Sequence, residues 1–339
     1  ILKTEINEKN KIHIDGQLIG ELKGLKFIIE LTSKTLDTDI KSIKKAARRG
    51  IKEELNKRVD KIIKNKEISI DSNSKIIWKN NPVARLKKGH DYLNPEIEII
   101  ADESLEIETK LKLEEFLKKW FNNYIDDVLR DLINLTKQKT KNQYLRALIF
   151  QLYEKNGVIK RSEIDRIVKL IPSEERKKLW GMGIKIGRYH VYLPKMLKPK
   201  AVEFRISLWK IFHNLSNKHE IPKFGLNFII NKNYEKNFLL LCGFEKFNEY
   251  FIRIDILEKL FIKILDNTKN RTFKVNAEMM NLLGCSKENF YKLMTYMNYK
   301  KDKVVDTYIF KGEKKKKEKI IRFDKKENPF NKLLSLNIK

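Results

Sequence analysis

This 339-residue sequence contains few of the residues that break or cross-link a chain: 13 glycines, 7 prolines and two cysteines. Cys242 and Cys285 form no CxxC pair, so we expect reduced, buried cysteines in a cytoplasmic protein and no disulfide framework. No apolar run approaches the ~18 residues that a membrane-spanning helix needs, so no membrane partner is expected. No secretory signal opens the chain. Because it begins at Ile1 and not at Met, we expect it to be a fragment of a longer protein.

Several catalytic motifs are also missing. The sequence has no GxxxxGK[ST] phosphate loop, no HExxH, no GxSxG and no dinucleotide-binding fingerprint. A phosphate loop binds the phosphates of ATP, HExxH binds a catalytic zinc and GxSxG positions a nucleophilic serine. His213 and His219 lie six positions apart with no cysteine nearby, which is the wrong arrangement for a zinc finger. We therefore expect no cofactor, no metal and no catalytic residue in this chain.

What the sequence does have is positive charge. It carries 73 Lys+Arg against 45 Asp+Glu, a formal net charge of +28. An excess of this size favours a polyanionic partner, either nucleic acid or an anionic membrane surface. The alternative is that abundant Lys, Ile and Asn reflect an AT-rich coding sequence and that the lysines are only solvated. We favour nucleic acid.

The hydrophobic pattern predicts an α+β protein that is predominantly helical. Alternation around Asp15-Gly16 predicts a hairpin, residues 39–64 an amphipathic helix with Gly50 as a weak point, and residues 67–100 further strands. Residues 1–104 are thus expected to form a small antiparallel β module with an inserted helix.

From Leu105 the apolar period changes to that of a helix. We predict a helical bundle with a basic Gly/Pro hairpin over 105–220, in which Ser162 caps a helix, and a winged-helix-like unit over 221–310, in which Ser286 starts the last helix. Residues 311–339 are expected to be a flexible basic tail, with four lysines at 314–317 that contact phosphates without specificity.

The most unusual stretch is GMGIKIGRYHVYLPKMLKPKAVEFRISLW, residues 181–209. Its glycines allow another backbone to pass close, Pro194 stops a strand and Pro199 starts a helix. Exposed amides and cations at a helix N-terminus make an anion site, and Tyr189, His190 and Tyr192 are available for stacking on bases. The alternative is a hairpin packed against the bundle, with cations that are merely solvated.

These patterns predict a surface for single-stranded RNA or DNA. The predicted nucleic-acid-binding residues are Arg85, Lys87, Lys88, Arg161, Lys185, Arg188, His190, Tyr192, Lys195, Lys198 and Arg205.

Two other functions remain open. Pro95-Glu96 followed by Glu108-Thr109-Lys110 is similar to the PD…ExK arrangement of metal-dependent nucleases, in which two carboxylates and a lysine hold Mg²⁺ against a phosphate. Alternatively, the chain is a structural scaffold whose basic faces dock protein partners.

Three segments resemble the region after the motor in Superfamily 2 (DExH-type) helicases of alphaproteobacteria, relatives of the mitochondrial RNA-degradosome helicase. The first contains Trp78, Val83-Ala84-Arg85-Leu86, Gly89, Leu93 and Pro95. The second contains Gly183, Gly187, Val191, Leu193-Pro194, Leu197-Lys198-Pro199, Ala201, Arg205 and Leu208-Trp209. The third contains Pro329-Phe330, Leu333 and Leu336.

The resemblance implies an accessory region that guides a single strand beside motor lobes, which would precede Ile1 in the parent protein and bind its ATP and Mg²⁺. The sequence departs from the family pattern in places. Asn80 stands where a glycine is usual, Asn328 where a serine is usual, and lysine often replaces arginine. Since lysine cannot make the forked contacts of a guanidinium, bidentate phosphate binding is in doubt at those positions.

Overall fold

The computed structural model of the chain describes residues 4–30, 40–215, 219–231 and 233–310. The fold is mixed α+β with 47% helix and 25% strand, which confirms the predicted class. The lysine run at 314–317, the tail around it and the third helicase-like segment at 329–336 lie outside the described residues.

The N-terminal part consists of two four-stranded antiparallel sheets, each in sequence order, with a long helix between them in the chain. The first sheet comprises β1 (Thr4–Ile6), β2 (Lys11–Ile14), β3 (Gln17–Lys23) and β4 (Lys26–Ile29). The helix is α1 (Ile40–Asn65), and the second sheet comprises β5 (Ile68–Ile70), β6 (Lys75–Trp78), β7 (Asn81–Asp91) and β8 (Asn94–Ile99). The hairpin predicted at Asp15-Gly16 is confirmed, since both residues have positive φ angles, 48° and 80°.

Helix α1 is amphipathic as predicted, and it buries Ile51, Leu55, Val59 and Ile62 completely. Gly50 is more than a weak point in this helix. A Cβ at this position would lie 2.3 Å from the Cβ of Thr4, so the glycine allows strand β1 to cross the helix closely.

Residues 143–192 form a winged helix, in which three helices are followed by a short hairpin, although the sequence pattern predicted only a bundle with a hairpin here. Two helices precede it, α2 (Ile107–Val128) and α3 (Arg130–Thr136). The winged helix itself comprises α4 (Gln143–Glu154), β9 (Val158–Lys160), α5 (Arg161–Leu170), α6 (Ser173–Gly181), β10 (Lys185–Ile186) and β11 (His190–Tyr192). The strand order is β10-β11-β9. Ser162 does not cap α5, because the helix begins one residue earlier, at Arg161, without a side-chain cap.

The segment between the two winged helices contains a short 3₁₀ helix, two α-helices and a three-stranded sheet. They are the 3₁₀ helix Pro194–Leu197, α7 (Pro199–Phe212), β12 (Phe228–Ile230), α8 (Lys236–Leu241), β13 (Phe244–Phe247) and β14 (Tyr250–Arg253). Pro199 occupies the first turn of α7, where the missing amide is harmless.

Residues 254–309 have the element order of a second winged helix, within the range 221–310 over which the sequence predicted a winged-helix-like unit. Its elements are α9 (Ile254–Asp266), β15 (Thr268–Lys269), β16 (Thr272–Lys274), α10 (Ala277–Leu283), α11 (Lys287–Tyr296), β17 (Lys300–Lys301) and β18 (Thr307–Ile309). The strand order is β15-β16-β18-β17. Ser286 caps α11 as predicted, by accepting a hydrogen bond from the amide of Asn289.

One continuous hydrophobic core joins both N-terminal sheets, α1 and the first winged helix, while the second winged helix has its own core. Helix α7 lies between two of the clusters. Its Phe204 and Leu208 belong to the first core, and its Val202 and Ile206 pack with Phe238 of α8 in a separate cluster. The proposed boundaries at 104 and 220 stay predictions, but α7 fixes the N-terminal half to the segment that precedes the second winged helix.

Candidate nucleic-acid interface

Two of the three glycines in the 181–209 segment are required by the fold. Gly183 ends α6 with a φ of 77°, and a Cβ there would lie 2.9 Å from the carboxylate of Asp131. Gly187 sits in the hairpin between β10 and β11, and a Cβ there would lie 2.3 Å from the carboxyl carbon of Glu258. A Cβ on Gly181 would meet nothing within 4 Å. The glycines therefore serve helix termination and a close contact with α9.

The hairpin amides bind a carboxylate of the protein itself, whereas the sequence analysis expected an anion site at the N-terminus of the helix that follows. The amides of Arg188, Tyr189 and His190 donate to the carboxylate of Glu258 on α9, at 2.6, 2.9 and 2.9 Å. Charge-assisted bonds of this kind are among the strongest that a backbone makes. The Arg188 guanidinium lies over the ring of Phe261, 5.4 Å from its centroid. The wing of the first winged helix is thus docked on the second one.

His190 is buried in the same contact, so the expectation that it stacks on bases is wrong. Its Nε2 lies 2.7 Å from a carboxylate oxygen of Glu245, and its Nδ1 lies 3.5 Å from one of Glu258. Burial by itself lowers the pKa of the imidazole, but hydrogen bonds to Glu245 and Glu258 outweigh it and raise the pKa above its ordinary value. Lys160 pairs with Glu245 on its other side, so the network alternates charges.

Arg205 and Tyr192 were also predicted to contact nucleic acid, but both are buried. The side chain of Arg205 is 0% exposed, and it donates to the backbone carbonyls of Asn156, Met196 and Leu241. It ties together three separate segments and cannot reach a phosphate. Tyr192 is buried on β11, where it packs among side chains from both halves of the molecule.

Arg161 is half-buried and already engaged, like Arg188. Its guanidinium donates to Asp165, at 3.1 Å, and to the carbonyl oxygen of Gly187, at 3.2 Å. The second of these bonds holds the hairpin against the start of α5. Both arginines therefore stabilise the wing and are poorly placed to contact a strand.

The remaining six predicted residues are exposed: Arg85, Lys87, Lys88, Lys185, Lys195 and Lys198. Two of them line a cleft of about 460 Å³ that we call the Trp180 cleft. It is lined by Asp131, Asn134, Gln138, Trp180, Gly181, Met182, Gly183, Ile184, Lys185, Pro194 and Lys195.

Trp180 is the most informative residue of this cleft, and the sequence analysis missed it. Its side chain is 81% exposed at the C-terminal end of α6, which is the third helix of the first winged helix. Its neighbour Leu179 is completely buried. Adjacent side chains on a helix point about 100° apart. Since Leu179 is the buried position of α6, the neighbouring Trp180 had to point towards solvent, and the sequence could have indicated this.

Three more of the exposed residues line a second cleft, the Lys88 cleft, of about 540 Å³. It is lined by Ser72, Asn73, Ser74, Arg85, Leu86, Lys87, Lys88, Ser207, Lys210, Ile211, Asn214 and Leu215. Glu98 binds both Arg85 and Lys87, and these two hydrogen bonds lower the pKa of Glu98 to about 2. Lys88 lies over Phe212, 5.3 Å from the ring centroid, and Lys210 is a cation that sequence reasoning missed.

Helix α7 connects the two clefts. Lys195 and Lys198 precede its first turn and Lys210 lies in its last turn, so Lys198 and Lys210 are separated by about 18 Å along the helix axis. A smaller cleft between them, of about 280 Å³, is lined by Lys200, Glu203, Ser207 and Lys210, among others. Acidic residues partly neutralise this path, because Asp131 pairs with Lys195 at 2.9 Å and Asp127 lies 3.9 Å from Lys200.

The nuclease alternative depends on Glu96, Glu108 and Lys110. Among them, no three histidine, cysteine, aspartate or glutamate side chains are grouped so as to hold a metal ion. Glu96 is on β8 and Glu108 is in the first turn of α2, both exposed. As for membranes, none of the helices in the described ranges combines the length and apolar character needed to cross a bilayer.

Comparison of this chain with protein-family models, with curated proteins and with solved structures finds no significant match. The helicase resemblance therefore stays a prediction that rests on the residues quoted above, and function has to be argued from the site.

Proposed function

We propose that this chain is an accessory, non-motor region of an ATP-dependent helicase and that it holds single-stranded RNA or DNA. The strand lies in the Trp180 cleft and follows α7 towards the Lys88 cleft. ATP hydrolysis belongs to motor lobes outside this sequence, as the resemblance implies.

The observation that carries this proposal is the pairing of one freely exposed tryptophan with two lysines in one cleft. Proteins that bind single strands without sequence preference combine aromatic platforms, on which bases stack, with cations that follow the phosphates. Trp180 is 81% exposed, and Lys185 and Lys195 line the same cleft. If this basic surface were merely solvated, there would be no reason for a tryptophan side chain to be exposed there.

The lysines along α7 define a path for the bound strand. Lys198, Lys200 and Lys210 are spaced along one helix, and Lys88 lies at its far end. A single OB-fold covers about 4 to 16 nucleotides, so a path of this length accommodates the lower end of that range. Because Asp131 already pairs with Lys195 and Asp127 lies near Lys200, affinity should depend on stacking at Trp180 as well as on charge.

Binding of a labelled single strand of about 12 nucleotides, measured by fluorescence anisotropy at several salt concentrations, tests the proposal. Trp180→Ala should weaken binding by about 5- to 150-fold, the range expected when one base no longer stacks. Replacing both Lys185 and Lys195 by Gln should weaken it and lower the salt slope by about two, because two phosphates are no longer neutralised.

The matched control is the double replacement of Lys118 and Lys119 by Gln. These lysines are exposed on α2, and each pairs with a glutamate one turn away, so the change in net charge is the same. It should leave the affinity and the salt slope nearly unchanged. If the control weakens binding as much as the cleft variant does, charge alone matters and the cleft is rejected as the site.

Other outcomes separate the alternatives. A flat salt response with no measurable affinity would favour the protein-docking scaffold. Cleavage of the strand in Mg²⁺ or Mn²⁺ that Glu108→Gln abolishes would favour the nuclease. The parent helicase is tested by the coding sequence upstream of Ile1, which should contain a phosphate loop and a DExH-type box.

A further inference from the structure

The wing of the second winged helix ends in two exposed apolar side chains. It joins β17 to β18 and consists of residues 302–306. Val304 is 62% exposed and Val305 is 75% exposed. Two adjacent β-branched apolar residues at the tip of a loop, where polar turn residues are the norm, indicate a surface that is covered by a partner.

The wing is held in a fixed position. The amide of Asp302 donates to the carbonyl of Thr307, at 2.8 Å, and the amide of Thr307 donates to the carbonyl of Val304, at 3.2 Å. The carboxylate of Asp306 accepts hydrogen bonds from Lys287, at 2.9 Å, and from the hydroxyl of Tyr291, both on α11. The tip is therefore pre-organised relative to the third helix of this unit, and little entropy is lost when it binds.

Cations surround this apolar tip. Lys300, Lys301 and Lys303 are exposed on the wing and the strand before it, and Lys274 is in register with Thr307 at the end of the neighbouring strand. The two acidic residues of the loop are engaged locally, since Asp302 accepts from the amide of Lys303 and Asp306 binds α11. The surface is thus an apolar point with a basic rim.

We infer that this wing tip packs against the terminal base pair of a nucleic-acid duplex, with Lys301 and Lys303 on the flanking phosphates. The end of a duplex is itself an apolar face with an anionic rim, which matches the wing in both respects. Apolar side chains that press on base steps partly unstack them, so the tip would mark the place where a duplex opens into a single strand. This site is separate from the Trp180 cleft and would take a different part of the substrate.

A duplex with a single-stranded overhang and 2-aminopurine at the base pair next to the overhang tests this inference with the full chain. Saturating wild-type protein should increase the 2-aminopurine fluorescence, because contact with Val304 and Val305 unstacks that base. The double substitution Val304→Ser and Val305→Ser should abolish the increase and weaken binding of the tailed duplex by about fivefold or more. Its affinity for the isolated single strand should stay at the wild-type value.

Ile107→Ser with Leu111→Ser is the matched control, because it removes two apolar side chains, 78% and 59% exposed, from α2. It should behave like the wild type. Replacing Lys301 and Lys303 by Gln gives a second variant that leaves the tip intact, and it should weaken the tailed duplex more than the single strand.

An unchanged 2-aminopurine signal with the wild type would overturn the inference, as would a serine variant and a glutamine variant that both bind the tailed duplex normally. Failure of the single-strand proposal looks different. In that case Trp180→Ala would bind single strands normally, whatever happens at the wing.

Discussion

The contact between Glu258 and the hairpin predicts a large loss of stability when its carboxylate is removed. Glu258→Ala leaves three amides, of Arg188, Tyr189 and His190, without the acceptor that they have at 2.6 to 2.9 Å. A buried donor without an acceptor costs about 1–3 kcal/mol. Because some of these amides will find water, we expect the lower part of the range at each one, a total of about 3–5 kcal/mol.

Alanine is the best helix former, so the loss cannot come from helix propensity in α9. Hydrogen exchange followed by mass spectrometry is the sharpest assay, since exchange at residues 187–190 should accelerate even if the rest of the chain is unaffected. Urea unfolding followed by circular dichroism gives the free energy. Glu258→Gln keeps one acceptor oxygen and should fall between the wild type and Glu258→Ala.

The control is Glu278→Ala on α10. Glu278 is exposed and pairs with Lys263 at 2.7 Å, so its removal should cost less than about 1 kcal/mol. If Glu258→Ala costs no more than this control and the hairpin amides stay protected, the docking of the first wing on α9 is wrong.

Two further predictions concern the same junction. Because the pKa of His190 is raised, its ion pairs with Glu245 and Glu258 stabilise the fold fully below pH 6.5, its ordinary pKa, and this stability is lost as pH rises through the raised value. In urea unfolding measured across pH, His190→Gln should remove this fall in the midpoint. A variant with the pH profile of the wild type would contradict the prediction. Gly187→Ala should destabilise by about 2 kcal/mol, because its Cβ would clash with Glu258 at 2.3 Å. Gly181→Ala, whose Cβ meets nothing within 4 Å, should be close to neutral, and equal thermal shifts in the two would refute the packing argument.

Local signals in the sequence predicted the local structure well. Asp15-Gly16 has the two positive φ angles that a tight hairpin needs, Pro199 lies in the first turn of α7 and Ser286 caps α11. Each of these depends on residues within one turn of the chain. The second winged helix was also predictable, because its helices and strands follow one another without long insertions.

The burial of His190, Tyr192 and Arg205 was not predictable in this way. Their surroundings come from residues far along the chain, such as Glu245 and Glu258, which are 55 and 68 positions from His190. A basic or aromatic residue on a short strand gives no local sign of which side will be covered. The first winged helix was missed for a similar reason. The hairpin was predicted, but β9 has only three residues and its pairing with β11, which places Val191 opposite Ile159, was not.

The 181–209 segment therefore has a structural role in addition to the binding role that its composition suggests. Most of the residues that carry the helicase resemblance there are buried or fit tightly against neighbours, as Gly187 does against Glu258 and Arg205 against three carbonyls. They fix one winged helix to the next. Binding, in our proposal, falls to exposed residues beside them, above all Trp180 and Lys185.

A rigid junction suits a platform for a moving strand. The Trp180 cleft lies beside the start of α7 and the Lys88 cleft beside its end, and α7 is packed on both sides. In our proposal, the distance between the base-stacking and phosphate contacts is therefore set before the strand binds, and little ordering entropy is lost on binding. A buried charge network between the two winged helices holds the hairpin that carries Lys185, which lines the Trp180 cleft. If Glu258→Ala loosens the hairpin, it should also weaken single-strand binding at Trp180, although it touches neither cleft.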